Sequence, residues 1–192
     1  MPDKLLLMMM LGAPGSGKGT QAVRLSEELD IAHESSGDAF RKAASDGTEA
    51  GLAAAEFFER GELVPDETVC RVMIEHIEDL IGRGRGILLD GFPRTLGQAV
   101  RLEESLGELG QKLDAVVHID IDRAEIMRRL SLRGRADDSE EVVRHRIDVY
   151  DELTRPLVDF YRDRDVVVEI DGNEAVDAVH DEILDKVRVA VR

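Results

Sequence analysis

Short, nearly uninterrupted apolar runs alternate along this chain with longer stretches in which apolar residues return every three or four positions. Leu5–Leu11, Gly86-Ile-Leu-Leu-Asp90, Ala115–Ile121 and Val166–Ile170 are the runs. Their continuity marks strands buried on both faces, as in a parallel sheet. A weaker strand lies around Ile31–Glu34. Between the runs, Val69, Met73, Ile77 and Leu80 step along one helical face, as do Val176, Val179, Ile183 and Val187. A helix is expected from about Gln21 to Leu29. A long one starts near Ser139, where Asp138, Glu140 and Glu141 suit its positive end, and Pro156 should kink or divide it. The alternation predicts an α/β fold with a five-stranded parallel sheet flanked by helices. Residues 36 to about 65 break the pattern with helical periodicity and no strand, and Arg133–Ser139 reads as a short polar loop between helices. Both are expected to be insertions on one α/β core, and no internal repeat is visible.

Length agrees with a single domain, since 192 residues bury one substantial core. Charge narrows the partners. Forty-one acidic residues against 25 basic ones leave a net charge of −16, which argues against nucleic acid and anionic membranes. Only five of the cations are Lys. Scarce Lys and abundant carboxylates resemble salt-adapted surfaces, but an ordinary acidic cytosolic protein gives the same composition. Cys70 stands alone, so an intrachain disulfide and a multi-Cys zinc site are both excluded, and the five His show no helical metal-binding pair. Leu5–Leu11 is far shorter than the ~20 residues of a membrane span and lacks a small-residue cleavage site, so a cytoplasmic protein is expected. Gly82-Arg-Gly-Arg-Gly86 has the look of an RNA-binding Arg-Gly box. One copy in an acidic chain reads better as a helix end feeding a strand.

The first strand runs into Gly12-Ala-Pro-Gly15-Ser-Gly17-Lys18-Gly19-Thr20. Glycines let the backbone turn tightly and aim several N–H groups at one oxyanion, the following helix adds its N-terminal partial charge, and Lys18 adds a full one. The strand before and the helix after supply the context of a phosphate-binding loop (P-loop); a turn that merely connects two elements is the plain alternative. Gly19 stands where such loops usually carry the hydroxyl that holds Mg²⁺, and the hydroxyl comes one residue later, at Thr20. The metal is therefore expected on the phosphates and water, with Asp90 as an outer-sphere anchor. A carboxylate at a strand end can equally just cap the next turn.

Further motifs follow in order. Ser35-Ser36-Gly37-Asp38 with Arg41 precedes Gly61-Glu-Leu-Val64-Pro-Asp66; Asp90-Gly-Phe-Pro-Arg94 has Gln98 four residues on. An arginine-rich stretch then spans residues 123–146, with seven Arg against five acids in a chain that is otherwise strongly negative. Ion pairs lacing a helix would produce such a cluster too. Arginine suits phosphate because its planar fork binds two oxygens and keeps its proton.

Together these motifs, over essentially the whole chain, resemble the adenylate kinases among the nucleoside monophosphate kinases, in their short-lid form. The resemblance implies a P-loop sheet with an AMP-binding insertion at about 36–65 and a short lid at about 132–139, the core being 1–35, 66–131 and 140–192. It implies Mg²⁺-dependent, reversible transfer of the ATP γ-phosphoryl to AMP, giving two ADP. The nucleophile is the already anionic phosphate of AMP, so no general base is required; the chemistry needs charge neutralisation across several phosphates held in line.

By the same resemblance, Gly15, Ser16, Gly17, Lys18, Gly19 and Thr20 wrap the ATP phosphates, Arg129 stacks on the adenine, Arg133 grips the phosphates and the Gly172 backbone contacts the base. For AMP, Ser36, the segment Glu62-Leu63-Val64 and Gln98 face the base, Gly91, Phe92 and Pro93 bind AMP as well, and Arg41, Arg94, Arg135 and Arg146 hold the phosphate. Lys18, Arg94, Arg133, Arg135 and Arg146 carry transition-state charge. Ser36 stands where many relatives have Thr, and Arg133-Gly134-Arg135 leaves no room for the longer lid that some fold around zinc, so zinc is not expected. A monomer is expected. Two rival readings are a UMP/CMP kinase on the same scaffold, against which Gln98 argues by its pairing with a purine, and a non-catalytic adenylate-sensing module, against which the retained Lys18 and arginines argue.

Overall fold

Five parallel strands form one sheet in the order β2-β3-β1-β4-β5: β1 Leu7–Gly12, β2 Ala32–Ser35, β3 Ile87–Asp90, β4 Ala115–Asp120 and β5 Val167–Asp171. The coordinates are a computed structural model that describes residues 5–133 and 139–191, with the side chains of residues 50 and 133 outside the description. Central β1 is buried along its whole length. Its alternate residues serve two cores, because successive side chains leave a strand on opposite faces. Leu7, Met9 and Leu11 join Met73 and Ile77 of helix α4 (Asp66–Gly82), Leu102 and Leu106 of α5 (Leu96–Glu108) and Tyr161 of α8 (Pro156–Arg162). Met8 and Met10 join Leu25 of α1 (Lys18–Leu29) and Ile183 and Val187 of α9 (Val176–Ala190). That double burial is why the strands read as apolar runs rather than alternating ones.

The expected strands are all present: β1, β2 and β5 are displaced toward their C-terminal sides, β3 starts one residue later and β4 ends one residue earlier. The run from Leu5 becomes a strand from Leu7, and β1, β2 and β5 extend to Gly12, Ser35 and Asp171. Those polar ends still pair in register, Ser35 beside Asp90 and Asp120 beside Asp171. Helix α1 begins at Lys18 rather than near Gln21. The stretch from residue 36 holds two helices and no strand, α2 (Ser36–Ser45) and α3 (Glu49–Arg60), capped by the hydroxyls of Ser35 and Thr48. A third small core of Ala13, Ile121, Ile126, Leu130, Val143 and Ile147 packs α6 (Arg123–Arg133) against α7 (Glu140–Val149). Ser139 caps α7 as expected.

Pro156 does divide the long helix. Tyr150–Thr154 is one turn of π-helix in which Arg155 N–H donates to Tyr150 O at 2.8 Å, and Pro156 opens α8, where its missing N–H costs nothing. The turn has a use, since Thr154 Oγ1 donates to Arg94 O at 2.8 Å and so fastens this segment to the Asp90–Arg94 loop. Among the described residues no helix is long and apolar enough to cross a membrane. Cys70 lies on α4 in the core, 2% exposed.

Candidate active site

The carboxyl ends of β1, β2 and β3 open into one cleft of about 750 Å³, where a doubly wound sheet places its ligands. Its floor is the loop after β1. Gly15 and Gly17 hold positive φ of 82° and 97°, a geometry that costs other residues strain, and α1 starts at Lys18. The N–H groups of Lys18, Gly19 and Thr20 have no carbonyl four residues back inside the helix, so they face the cleft with the positive end of α1 behind them. Lys18 Nζ donates to the loop's own carbonyls, Gly12 O at 2.6 Å and Ala13 O at 2.9 Å. The ammonium is thus held over the loop. All six residues from Gly15 to Thr20 line the cleft.

Asp90 ends β3 across from the loop, its Oδ2 3.5 Å from where a Cβ on Gly19 would stand. Burial pushes its carboxyl up, but the His33 imidazole, its Nε2 3.7 Å from Asp90 Oδ2, and the charges of Lys18 and Arg94 outweigh that and hold it below the usual aspartate value. An ionised carboxylate therefore faces the phosphate loop. Among the described residues no group of three or more His, Cys, Asp or Glu is arranged to hold a metal. A divalent cation here would have Asp90 as its carboxylate and would need the phosphate oxygens of a ligand for the rest, which suits an ion that keeps several waters.

Arg94 lies half-buried on the next turn, its Nε donating to Gly91 O at 2.7 Å. Burial lowers its pKa, Asp90 opposes this, and the neighbouring positive charges of Arg146 and Arg41 lower it further. Three guanidinium groups from three separate elements thus crowd one region of the cleft. Mutual repulsion makes that arrangement costly unless an anion occupies it. Arg41 is steadied by Asp38 at 2.5 Å, and Arg146 donates to Phe58 O at 3.0 Å, at the end of α3.

The far wall holds Arg129 and Gly172 together. Arg129 Nε donates to Glu125 Oε1 at 2.7 Å and its NH2 to Gly172 O at 2.9 Å, so its guanidinium plane is fixed at the cleft's edge. Hydrogen bonds from Arg128 and Arg129 hold the Glu125 carboxyl down to about 2. A depressed carboxylate contributes stability above its ordinary 4.5 and loses it as pH falls through the folded value. The difference in stability between wild type and Glu125→Gln should therefore be complete near neutrality and shrink from about pH 4.5 down to about pH 2. Denaturant melts across that range check it. A difference independent of pH would show that these bonds do not clamp Arg129.

A second, narrow pocket adjoins the cleft between α2, α3 and the Gly91–Gln98 segment, lined by Ser36, Phe40, Phe58, Leu63, Val64 and Gln98 among others. Phe40 and Phe58 meet edge to face at 6.5 Å. Ser36 Oγ donates to Gly91 O at 2.6 Å, the carbonyl that also receives Arg94 Nε. Gln98, 1% exposed, accepts from Arg94 N–H and donates to Asp66.

Most of the expected site residues thus gather in two adjoining spaces. Glu62, Leu63, Gly91 and Pro93 line the cleft with Arg41, Arg94 and Arg146. Phe92 does not: it is 1% exposed in the core, where it anchors the turn. Arg135, the Arg133 side chain and most of the expected lid lie outside the described residues. His33, Asp38, Tyr150, Thr154 and Val176, none of them expected as site residues, also line the cleft. The Ser-Ser-Gly-Asp motif could have pointed to Asp38; nothing in the sequence pattern signals the others, which arrive by topology.

Comparisons with known proteins show the family. The family model described as adenylate kinase matches residues 10–166. The chain is 43% identical over 172 residues to adenylate kinase 1 of Synechocystis sp., covering 90% of this chain and 91% of that protein. It is 44% identical over 176 residues to an adenylate kinase of Thermobifida fusca, covering 90% and 93% respectively. An adenylate kinase of Archaeoglobus fulgidus is 38% identical over 207 aligned positions, covering 92% and 95%. A phosphate loop, a facing carboxylate, converging arginines and identity across nine-tenths of the chain lead to one assignment: this chain belongs to the adenylate kinase family of nucleoside monophosphate kinases.

Proposed function

We propose that the chain transfers the γ-phosphoryl of ATP directly and reversibly to AMP, as a cytoplasmic monomer, with Mg²⁺ carried in on the nucleotide phosphates. The convergence of Arg41, Arg94 and Arg146 opposite the phosphate loop carries the reading, because it leaves two anion sites facing each other across one cleft. Gly15–Thr20 hold the ATP phosphates, and Arg129 with the Gly172 backbone borders its adenine. Arg41, Arg94, Arg135 and Arg146 hold the AMP phosphate. Ser36, Val64 and Gln98 border the AMP base, Glu62 and Leu63 its rim, and Gly91, Phe92 and Pro93 shape the turn beneath.

Lys18, Arg94, Arg133, Arg135 and Arg146 neutralise charge that grows on the transferred group and the bridging oxygens. Bound Mg²⁺ would add the charge of a divalent cation there, with Asp90 orienting its water. AMP phosphate attacks as an anion, so no side chain has to take a proton. The pocket beside Gln98 is only about 20 Å³, room for roughly one water, so a purine enters by displacement of α2 and α3. Residues 36–65 then close over AMP and 132–139 over ATP, on a core of 1–35, 66–131 and 140–192, excluding water that would otherwise hydrolyse ATP.

The test compares AMP, UMP, CMP and GMP as acceptors in a coupled assay with ATP. AMP should give the highest kcat/KM. A pyrimidine acceptor ahead of AMP would move the chain to the UMP/CMP kinase reading, and binding without turnover would make it a sensor.

The −16 charge is proposed as salt adaptation. Isolated surface ion pairs such as Lys42–Asp46 contribute little, so screening the general repulsion should dominate. Raising KCl from about 0.1 M to about 2 M is expected to hold or raise Tm. A Tm that falls steadily with KCl removes the idea and leaves the kinase reading untouched.

A further inference from the structure

An amide reads a purine only if it knows which way round it is. A carboxamide has an accepting oxygen and a donating NH₂ side by side. Its oxygen can take the amino N–H of adenine while its N–H reaches the adjacent ring nitrogen. Guanine presents the reverse pair, a carbonyl oxygen and a ring N–H. A glutamine free to rotate its amide by half a turn would therefore pair with either base.

Gln98 is not free to do so. Arg94 N–H, a donor, faces Gln98 Oε1 at 2.7 Å. Asp66 Oδ1 faces Gln98 Nε2 at 2.7 Å. A carboxylate can only accept, so it admits the NH₂ and repels the carbonyl. Asp66 is itself held: Thr95 Oγ1 donates to its other oxygen at 2.6 Å, and Thr95 Oγ1 accepts from Gln98 N at 3.1 Å. The three side chains form a closed ring joining the first turn of α4 to the first turn of α5, and each end of the Gln98 amide keeps one further bond to offer the pocket. Asp66 stands 32 residues from Gln98 in sequence and does not line the pocket. We propose that Asp66 is a positioning residue that locks the Gln98 amide in one orientation, so that the acceptor site takes adenine and rejects guanine nucleotides.

The proposal rests on the assignment of the Gln98 pocket to the AMP base, and the experiment separates the two. Asp66→Asn is close in shape but can present a carbonyl or an NH₂, so it no longer dictates the amide. Gly97→Ala attacks the same contact from the other side. Its methyl would stand 3.1 Å from Asp66 Oδ2, tight enough to displace the carboxylate, while alanine is the better helix former within α5. Steady-state kinetics with ATP and either AMP or GMP are measured for wild type, both variants and Gln98→Ala, with Tm as the measure of folding. In each of the two positioning variants the ratio of kcat/KM for AMP over GMP should fall roughly tenfold. The change should sit mainly in KM and should not follow Tm. A ratio equal to wild type in both variants, with AMP and GMP losing activity together or not at all, overturns the proposal. If Gln98→Ala leaves the KM for AMP unchanged, the pocket assignment itself fails, and the proposal with it.

Discussion

Lys18→Ala is expected to lower kcat roughly a thousandfold, about 4 kcal/mol of transition-state stabilisation, and Arg94→Ala by a similar factor. The size follows from position. Lys18 Nζ sits on the loop carbonyls at 2.6 and 2.9 Å, so its charge is fixed where ATP phosphates arrive rather than swinging in solvent. Arg94 is half-buried, fastened to Gly91 O and held through its own carbonyl by Thr154. Pre-oriented charge in a partly dry site needs no reorganisation as the reaction proceeds, which is why removing one such group costs far more than an exposed ion pair. Arg94→Lys should recover only part of the loss, since an ammonium lacks the planar fork. Coupled-assay kcat, with Tm as a folding control, measures all three. Near-normal kcat in both alanine variants would place the phosphates elsewhere.

Gly51→Ala should raise the KM for AMP roughly tenfold or more while leaving the affinity for ATP nearly unchanged. Gly51 lies where α3 crosses α2. A Cβ there would stand 2.1 Å from the carbonyl carbon of Ala43 and 2.2 Å from the nitrogen of Ala44. Both are backbone atoms and cannot turn aside, so α3 must lift away from α2. That strains the bonds from Thr48 N and Oγ1 to Ala43 O and parts Phe40 from Phe58 at the base pocket. Helix propensity alone predicts the opposite, a gain of about 1 kcal/mol for alanine over glycine. The sign therefore decides. Isothermal titration with each nucleotide reads the effect, and a variant with unchanged AMP affinity would show that the helix pair does not shape the base site.

The sheet was legible because burial on both faces writes itself as apolar runs, and the phosphate loop because three glycines and a lysine in that order have few other uses. Strand ends were not. Gly12, Ser35 and Asp171 are polar or small and drop out of a hydrophobic pattern, yet they still pair in the sheet and bring the chain to the cleft. The start of α1 was hidden in the same way, since Lys18, Gly19 and Thr20 carry no apolar signal. Arginines 41, 94 and 146 were readable as candidates, but their convergence depends on topology that brings α2, the β3 loop and α7 together. Asp66 closes the Gly61–Asp66 motif, but nothing there marks its bond to Gln98: its partners Thr95 and Gln98 lie 29 and 32 residues away, at the start of another helix. Phe92 went the other way, its place in a site motif concealing a role in the core.

The central claim is direct transfer between two bound nucleotides with no covalent enzyme intermediate and water excluded. Phosphorus NMR of ATP, AMP and Mg²⁺ with the purified protein tests it most directly. Two ADP should form for each ATP consumed, with inorganic phosphate near background and the same equilibrium mixture reached from ADP alone. Accumulating inorganic phosphate, or ATP loss that proceeds equally without AMP, would contradict it.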